Sequence, residues 1–280
     1  MFQHAVGRAL ALAHKTSFKL DISRLLSETH HQGFQLPEIF LGDFEIATSS
    51  DVFETIGSLR SFPKIQNFLN KPFARLLRGS NYVVEPYFQY WAGLREVPEN
   101  SFLSGYWQSE RYFSEITTMI REDFAFKTPL TDQNAQIADR MRRGNSVSLH
   151  VRRGDYVSSL VAAAHHGVCS IHYYQNAIRA LLDKIGSATI YIFSDDPQWA
   201  RENLIFNESC VYVDLNHGLT SYIDMQLMSL CKHHVIANSS FSWWGAWLNP
   251  DPNKIVVAPS YWFAKPIPTQ DLLPKNWIRI

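Results

Sequence analysis

Ser146-Val-Ser-Leu-His-Val-Arg-Arg-Gly-Asp155 decides the fold. Its first six residues form a short apolar run, strand-like in length and composition, that stops at an arginine pair and a loop closed by Gly154. From there the pattern alternates in order: helix at 171–182, strand at 189–193, helix at 197–204, strand at 210–213, helix at 221–230, strand at 233–237, helix at 241–248 and strand at 254–258. Such alternation predicts right-handed βαβ units and a parallel, doubly wound sheet.

In an open α/β sheet, ligands bind outside the carboxyl ends of the strands. Three such junctions here carry polar residues. The first is His150 to Asp155, where Arg152 and Arg153 stand side by side. Arginine presents a planar, permanently charged fork that fits phosphate oxygens, and two in a row suggest a diphosphate. The second is Ser194-Asp195-Asp196-Pro197. Pro197 suits a first helical turn and one aspartate can cap that helix, leaving the other for a ligand. The third is Ser239-Ser240-Phe241-Ser242. Hydroxyls and free amides at a helix start favour an anion, although an ordinary cap reads the same way. Trp243 and Trp244 read as core. Adjacent aspartates leaving one strand point apart, so Asp195 and Asp196 do not form a glycosidase pair, whose carboxylates stand roughly 5 to 9 Å apart.

The chain has 280 residues, with Lys+Arg and Asp+Glu at 26 each. That length fits one large or two smaller α/β domains. The even charge excludes a general nucleic-acid binder, so an anionic ligand must be held locally. Cys169, Cys210 and Cys231 are odd in number and widely spaced, which argues against a disulfide framework and for a reducing compartment. The histidines and cysteine of His165-His166-x-x-Cys169-x-x-His172 match no standard zinc spacing, and the pairs His30-His31 and His233-His234 are weaker still, so no metal is expected. No apolar run approaches the roughly 18 to 20 residues of a membrane span, and Arg8 interrupts the opening apolar stretch, so the reading is cytoplasmic.

The first half is less regular. Residues 1–14 read as helix, 18–22 as a strand, 52–59 and 65–69 as short helices, 102–107 as a strand, and 110–124 and 133–141 as helices. A helix preceding the first strand is unusual in a βαβ protein, so a first strand and turn read as missing and the start as truncated. The Arg-Gly-Asn-Ser at 143–146 marks the expected boundary between domains at 1–143 and 144–280.

Four stretches taken together carry a family resemblance: HVRRGDY at 150–156, FSDDPQW at 193–199, CKHHVIANSSFSWWGAWL at 231–248 and LSGYWQSERYF at 103–113. The chain closely resembles bacterial α-1,2-fucosyltransferases of glycosyltransferase family eleven, and the resemblance runs from end to end. It implies a GT-B architecture of two Rossmann-like domains with parallel sheets. GDP-β-L-fucose would be held by the C-terminal domain and the acceptor in the cleft. Arg152 would be the principal diphosphate contact and Arg153 its support. His150 and one of Asp195 or Asp196 would meet guanosine, and Ser239, Ser240, Phe241 and Ser242 would complete the donor site. The GYWQSE at 105–110 would have an acceptor-side or interdomain role. The family's opening G-x-G-N-Q turn is absent ahead of Met-Phe-Gln, in keeping with a truncated start and a weakened enzyme.

The activity so implied is inverting transfer of L-fucose to the 2-hydroxyl of a galactose-terminated glycan, without metal or cofactor. Preorganised arginines would stabilise charge growing on the departing phosphate. Asp155 is the candidate general base and His4 a second. A lipid-linked acceptor would bring the enzyme peripherally to the inner face of the cytoplasmic membrane. Two alternatives stand beside it: a non-catalytic GDP-sugar-binding protein, and a fucosyltransferase of different acceptor linkage.

Overall fold

A computed structural model describes residues 1–25 and 33–280; His30 and His31 lie outside the described residues. The chain divides into two compact units, Met1–Lys127 with Pro268–Pro274, and Thr128–Ile267 with Lys275–Ile280. The division therefore falls before the 132–143 helix, not after it at 143–146. That helix belongs to the second unit, where it buries Ile137, Ala138 and Met141 and packs against the helix at 222–230. The chain also revisits the first unit at Pro268–Pro274, which no compositional signal announces.

The first unit opens with α1 (Phe2–His14) and continues through α2 (Leu36–Ile39), α3 (Ser49–Ile56), α4 (Pro63–Leu69) and α5 (Thr117–Asp123). Thr48 and Asp51 close a reciprocal capping box on α3, satisfying amides that the first helical turn leaves unpaired. Its sheet among the described residues is two parallel strands, β1 (Tyr82–Val84) and β2 (Phe102–Ser104). The strand expected at 18–22 contributes a single parallel bridge, Leu20 to Ile46. The helix expected over 110–124 is instead two 3-10 turns followed by α5. Apolar spacing of three suits both geometries, and Phe113 and Ile116 leave helical dihedrals as Phe113 sinks to 1% exposure.

The second unit carries the regular fold. Its helices are α6 (Asp132–Arg143), α7 (Gly154–Ser158), α8 (Leu160–His166), α9 (Ile171–Ile185), α10 (Pro197–Asn203), α11 (Tyr222–Leu230) and α12 (Ser240–Leu248). Its strands are β3 (Ser146–Val151), β4 (Thr189–Ser194), β5 (Cys210–Val213), β6 (His233–Val235), β7 (Val256–Ala258) and β8 (Ile278–Arg279). They form one parallel sheet in the order β5-β4-β3-β6-β7-β8. All six residues of β3 are buried, as a central strand covered on both faces requires. Helix α9 turns Tyr174, Ala177, Ile178 and Leu181 onto Val147, Leu149 and Ile190. Burying such side chains stabilises by about 1.5–3 kcal/mol each for the larger ones.

From β3 the chain winds outward through β4 and β5, then crosses back to β6 and winds the other way. The direction of winding thus reverses between β3 and β6. In this class of sheet, that reversal opens a crevice at the carboxyl ends of the two strands. Those ends carry the arginine pair and the serine-rich turn. Among the described residues no helix is long and apolar enough to cross a membrane. All three cysteines are free thiols.

Candidate active site

The site grows from strand register. β3 and β4 are parallel neighbours with Val151 level with Ser194, so residues 152–153 and 195–196 emerge side by side. Asp195 accepts the Arg153 amide on Oδ1 at 2.7 Å, and its Oδ2 lies 3.0 Å from Arg152 Nη1. Arg152 Nη2 donates to Asp155 Oδ1 at 2.6 Å. Arg153 Nε donates to Asp196 Oδ2 at 3.2 Å, and its guanidinium carbon sits over the Trp199 ring, 3.9 Å from the centroid. Asp196 also caps α10, accepting Trp199 N on Oδ1 at 3.1 Å. One aspartate of the pair does cap the helix. The other, Asp195, holds the arginine loop from the next strand.

Gly154 makes this possible. A Cβ there would sit 2.7 Å from Asp195 Oδ2, well inside contact distance. Two guanidinium groups thus stand among three carboxylates. Long arginine side chains lose about 2 kcal/mol of rotamer freedom when fixed, and these contacts fix them beforehand. Asp155 is the most exposed of the three carboxylates, at 53%.

Next to this cluster His150 is buried at the end of β3, with its ring 5.7 Å from that of Phe241. Burial, and then the Arg152 charge, push its pKa down to about 3, so the ring is neutral at ordinary pH. Its Nδ1 has no hydrogen-bond partner among the described residues. A neutral imidazole with a spare nitrogen suits a purine edge better than a phosphate.

The serine turn is more self-contained than expected. Ser239 caps α12, its Oγ accepting Phe241 N at 3.3 Å. Ser242 is fully buried and donates to the Ser239 carbonyl at 3.2 Å. Ser240 is the exposed hydroxyl of the three. Three residues apart on one helix, Ser239 and Ser242 fall on the same inward side.

Three residues join the site that sequence reasoning did not assign to it: Trp199, Tyr156 and Asn238. Tyr156 stacks on His166 at 4.5 Å and lies under Arg152. Asn238 donates to the carbonyls of His166, Gly167 and Trp262, tying the β6 turn to the loop beyond α8. The aromatics directly following Arg-Arg-Gly-Asp and Asp-Asp-Pro-Gln were the available signal. Cys169 donates to Asn238 Oδ1 at 3.5 Å, and His165 packs on Phe263. Among the described residues no group of three or more His, Cys, Asp or Glu is arranged to hold a metal ion.

The first unit supplies the second base candidate. His4 is 1% exposed, with Nε2 3.0 Å from Asp123 Oδ2 and its ring among Phe18, Phe44 and Phe124. Burial holds its pKa below the usual value. A side chain so enclosed braces α1 against these rings. In the GYWQSE segment, Trp107 is buried in the same unit, and buried Ser109 donates to the Asp271 carbonyl at 2.6 Å. Only its Tyr106 stands out, at 64%.

A parallel sheet with an arginine pair at its reversal point offers fixed positive charge to an anionic ligand. The chain belongs to glycosyl transferase family 11, whose model matches residues 83–280. It is 34% identical over 293 residues to an Escherichia coli alpha-1,2-colitosyltransferase, covering 100% of this chain and 94% of that protein. It is 51% identical over 122 residues to the Escherichia coli O-antigen biosynthesis glycosyltransferase WbnK, covering 43% and 40%. Galactoside alpha-(1,2)-fucosyltransferase 1 of Leontocebus fuscicollis is 25% identical over 154 residues, covering 52% and 42%. Among solved structures, NodZ alpha-1,6-fucosyltransferase soaked with GDP-fucose superposes with a TM-score of 0.51 at 16% identity, covering 89% of this chain and 88% of that one. The fold is α/β with parallel sheets, shared with GT-B-type transferases.

Proposed function

We propose that the protein is an inverting α-1,2-glycosyltransferase that moves L-fucose from GDP-β-L-fucose to the 2-hydroxyl of a galactose-terminated glycan. The observation that carries the reading is the braced arginine pair: Arg152 and Arg153, pinned by Asp195 and Asp196 at the reversal point of the sheet. Arg152 holds the diphosphate and Arg153 supports it. His150, beside Phe241, meets the guanine, and exposed Ser240 with the first amides of α12 completes the phosphate contacts.

The acceptor oxygen forms the new bond to the sugar C1 while the bond from C1 to the β-phosphate oxygen breaks. GDP leaves with the bonding pair, and the acceptor proton passes to a base or to solvent. Negative charge grows on the β-phosphate in that step, where fixed guanidinium groups stabilise it most. Asp155 has a place in this scheme either as the base or as the carboxylate that sets Arg152 and yields to phosphate.

A second donor is favoured by the alpha-1,2-colitosyltransferase that is similar along the whole chain. Colitose is the 3-deoxy counterpart of L-fucose, so both donors share the diphosphate chemistry. Mass spectrometry of products from GDP-fucose and GDP-colitose with a panel of galactosides decides between them. Fucosylated product from GDP-fucose supports the reading. GDP binding without transfer of either sugar overturns it in favour of a binding protein.

A further inference from the structure

Between Glu54 and Glu85 the chain carries Arg60, Lys64, Lys71, Arg75 and Arg78 and not one acidic residue, in a protein whose charges balance overall. The same stretch holds unusually exposed large apolar side chains. Leu76 is 96% exposed, Phe73 75%, Leu59 74% and Phe62 61%. Single exposed leucines need no explanation, but a cluster of this size marks an interaction surface.

The exposure is built into a folded segment. Leu69 and Ala74 are buried against Val52, Ile56 and Tyr82, which anchors α4 and the 3-10 turn after it. Arg78 donates to the carbonyls of Leu69 and Lys71 at 2.7 and 3.0 Å, and Arg60 donates to that of Leu77 at 3.2 Å. Two cations thus knit the segment together. Lys64, Lys71 and Arg75 remain exposed and have no acidic partner among the described residues. With pairing helices of seven and six residues, the segment is too short to span a bilayer and suited to lie on one.

We infer that residues 57–79 dock the protein on an anionic phospholipid bilayer, the phenylalanines and leucines entering the headgroup boundary and the three unpaired cations meeting lipid phosphates. Charge complementarity selects the lipid: cations alone would suit nucleic acid, but that leaves Leu76 and Phe73 uncovered. The inference stands apart from the reading of the donor site.

The test is co-sedimentation of the full chain with vesicles of phosphatidylcholine containing roughly 30% phosphatidylglycerol, against phosphatidylcholine alone. Binding is expected to be at least ~10-fold weaker to phosphatidylcholine alone, or to the anionic vesicles at about 0.5 M salt. Phe73→Asp with Leu76→Asp, and separately Lys64→Glu with Lys71→Glu and Arg75→Glu, should each weaken binding by ~10-fold or more, with unchanged thermal melting because the sites are exposed. Absence of wild-type binding, or equal binding by the variants, overturns the inference. A dimer in sedimentation equilibrium that Leu76→Asp dissociates, without vesicle binding, also overturns it and assigns the face to self-association.

Discussion

Arg152 Nη1 lies 3.0 Å from Asp195 Oδ2, across the ends of two neighbouring parallel strands. The strand ends thus fix one side of the guanidinium before any ligand arrives. Arg152→Ala is expected to lower kcat by roughly 10²–10³-fold, the scale of losing a preorganised donor to developing charge. Arg152→Lys should restore little, because an ammonium cannot reach Asp195, Asp155 and a phosphate at once. Turnover within ~3-fold of wild type in Arg152→Ala would remove the phosphate role.

Gly154 is tested by one methyl group. A Cβ 2.7 Å from Asp195 Oδ2 must push that carboxylate away, and Arg152 with it. Gly154→Ala is expected to cost about 10- to 100-fold in kcat/KM, the scale of a 1 Å misplacement. Thermal melting should change little, since the clash is at the surface crevice. Steady-state kinetics beside a melting curve check both halves.

Asp155→Asn separates its two candidate roles. If the carboxylate sets Arg152, donor KM moves and the pH profile of kcat does not. If it is the base, kcat falls by roughly 10²–10⁴-fold and the acid limb of the profile disappears. The 2.6 Å contact with Arg152 leads us to expect the first outcome.

Trp199→Ala removes the surface on which Arg153 lies at 3.9 Å. Cation–π contacts at such sites contribute about 0.5–1 kcal/mol, so donor KM should rise roughly 2- to 5-fold with kcat nearly unchanged. Isothermal titration with GDP reads the same loss without turnover.

Asp224 gives a pH signature of stability. Burial raises its pKa to about 7, above the roughly 4 of an unfolded aspartate, and Asn216 donates to it at 2.7 Å. Below pH 4 both states are neutral. As pH rises from about 4 to 7 the unfolded chain ionises first, so the folded state loses up to ~4 kcal/mol relative to a neutral side chain, and nothing more is lost above pH 7. Asp224→Asn should therefore raise Tm at pH 8 and much less at pH 5. An equal shift at both would contradict the raised pKa.

The second unit was legible because its strands are short, covered and separated by helices of clear period. β3 at 146–151 and β5 at 210–213 fall where the pattern put them. Helices α7 and α8 were not foreseen: Leu160 and Val161 are 89% and 81% exposed, so no apolar face marks them. β1 is three residues long beside Pro86, too short for a period of two to register. In the site, Arg152, Arg153 and the aspartates were visible as residue types. What Asp195 does was not, because it depends on which residue of β4 stands level with Val151. Ser242 was overread for a related reason: its helix face points it inward, and the hydroxyl is spent on its own turn.

The detour through Pro268–Pro274 has a consequence for how the protein can be made or cut. β8, the outermost strand beside β7, comes from residues beyond the detour. During synthesis β7 lacks its outer partner until Ile278–Arg279 emerge, even though the central strands were completed long before. A stop or a proteolytic nick near residue 267 strips a segment from one unit and a strand from the other in a single event. Neither unit is a contiguous cassette, and exchanging the second unit between relatives requires two grafts, one at Thr128–Ile267 and one at Lys275–Ile280.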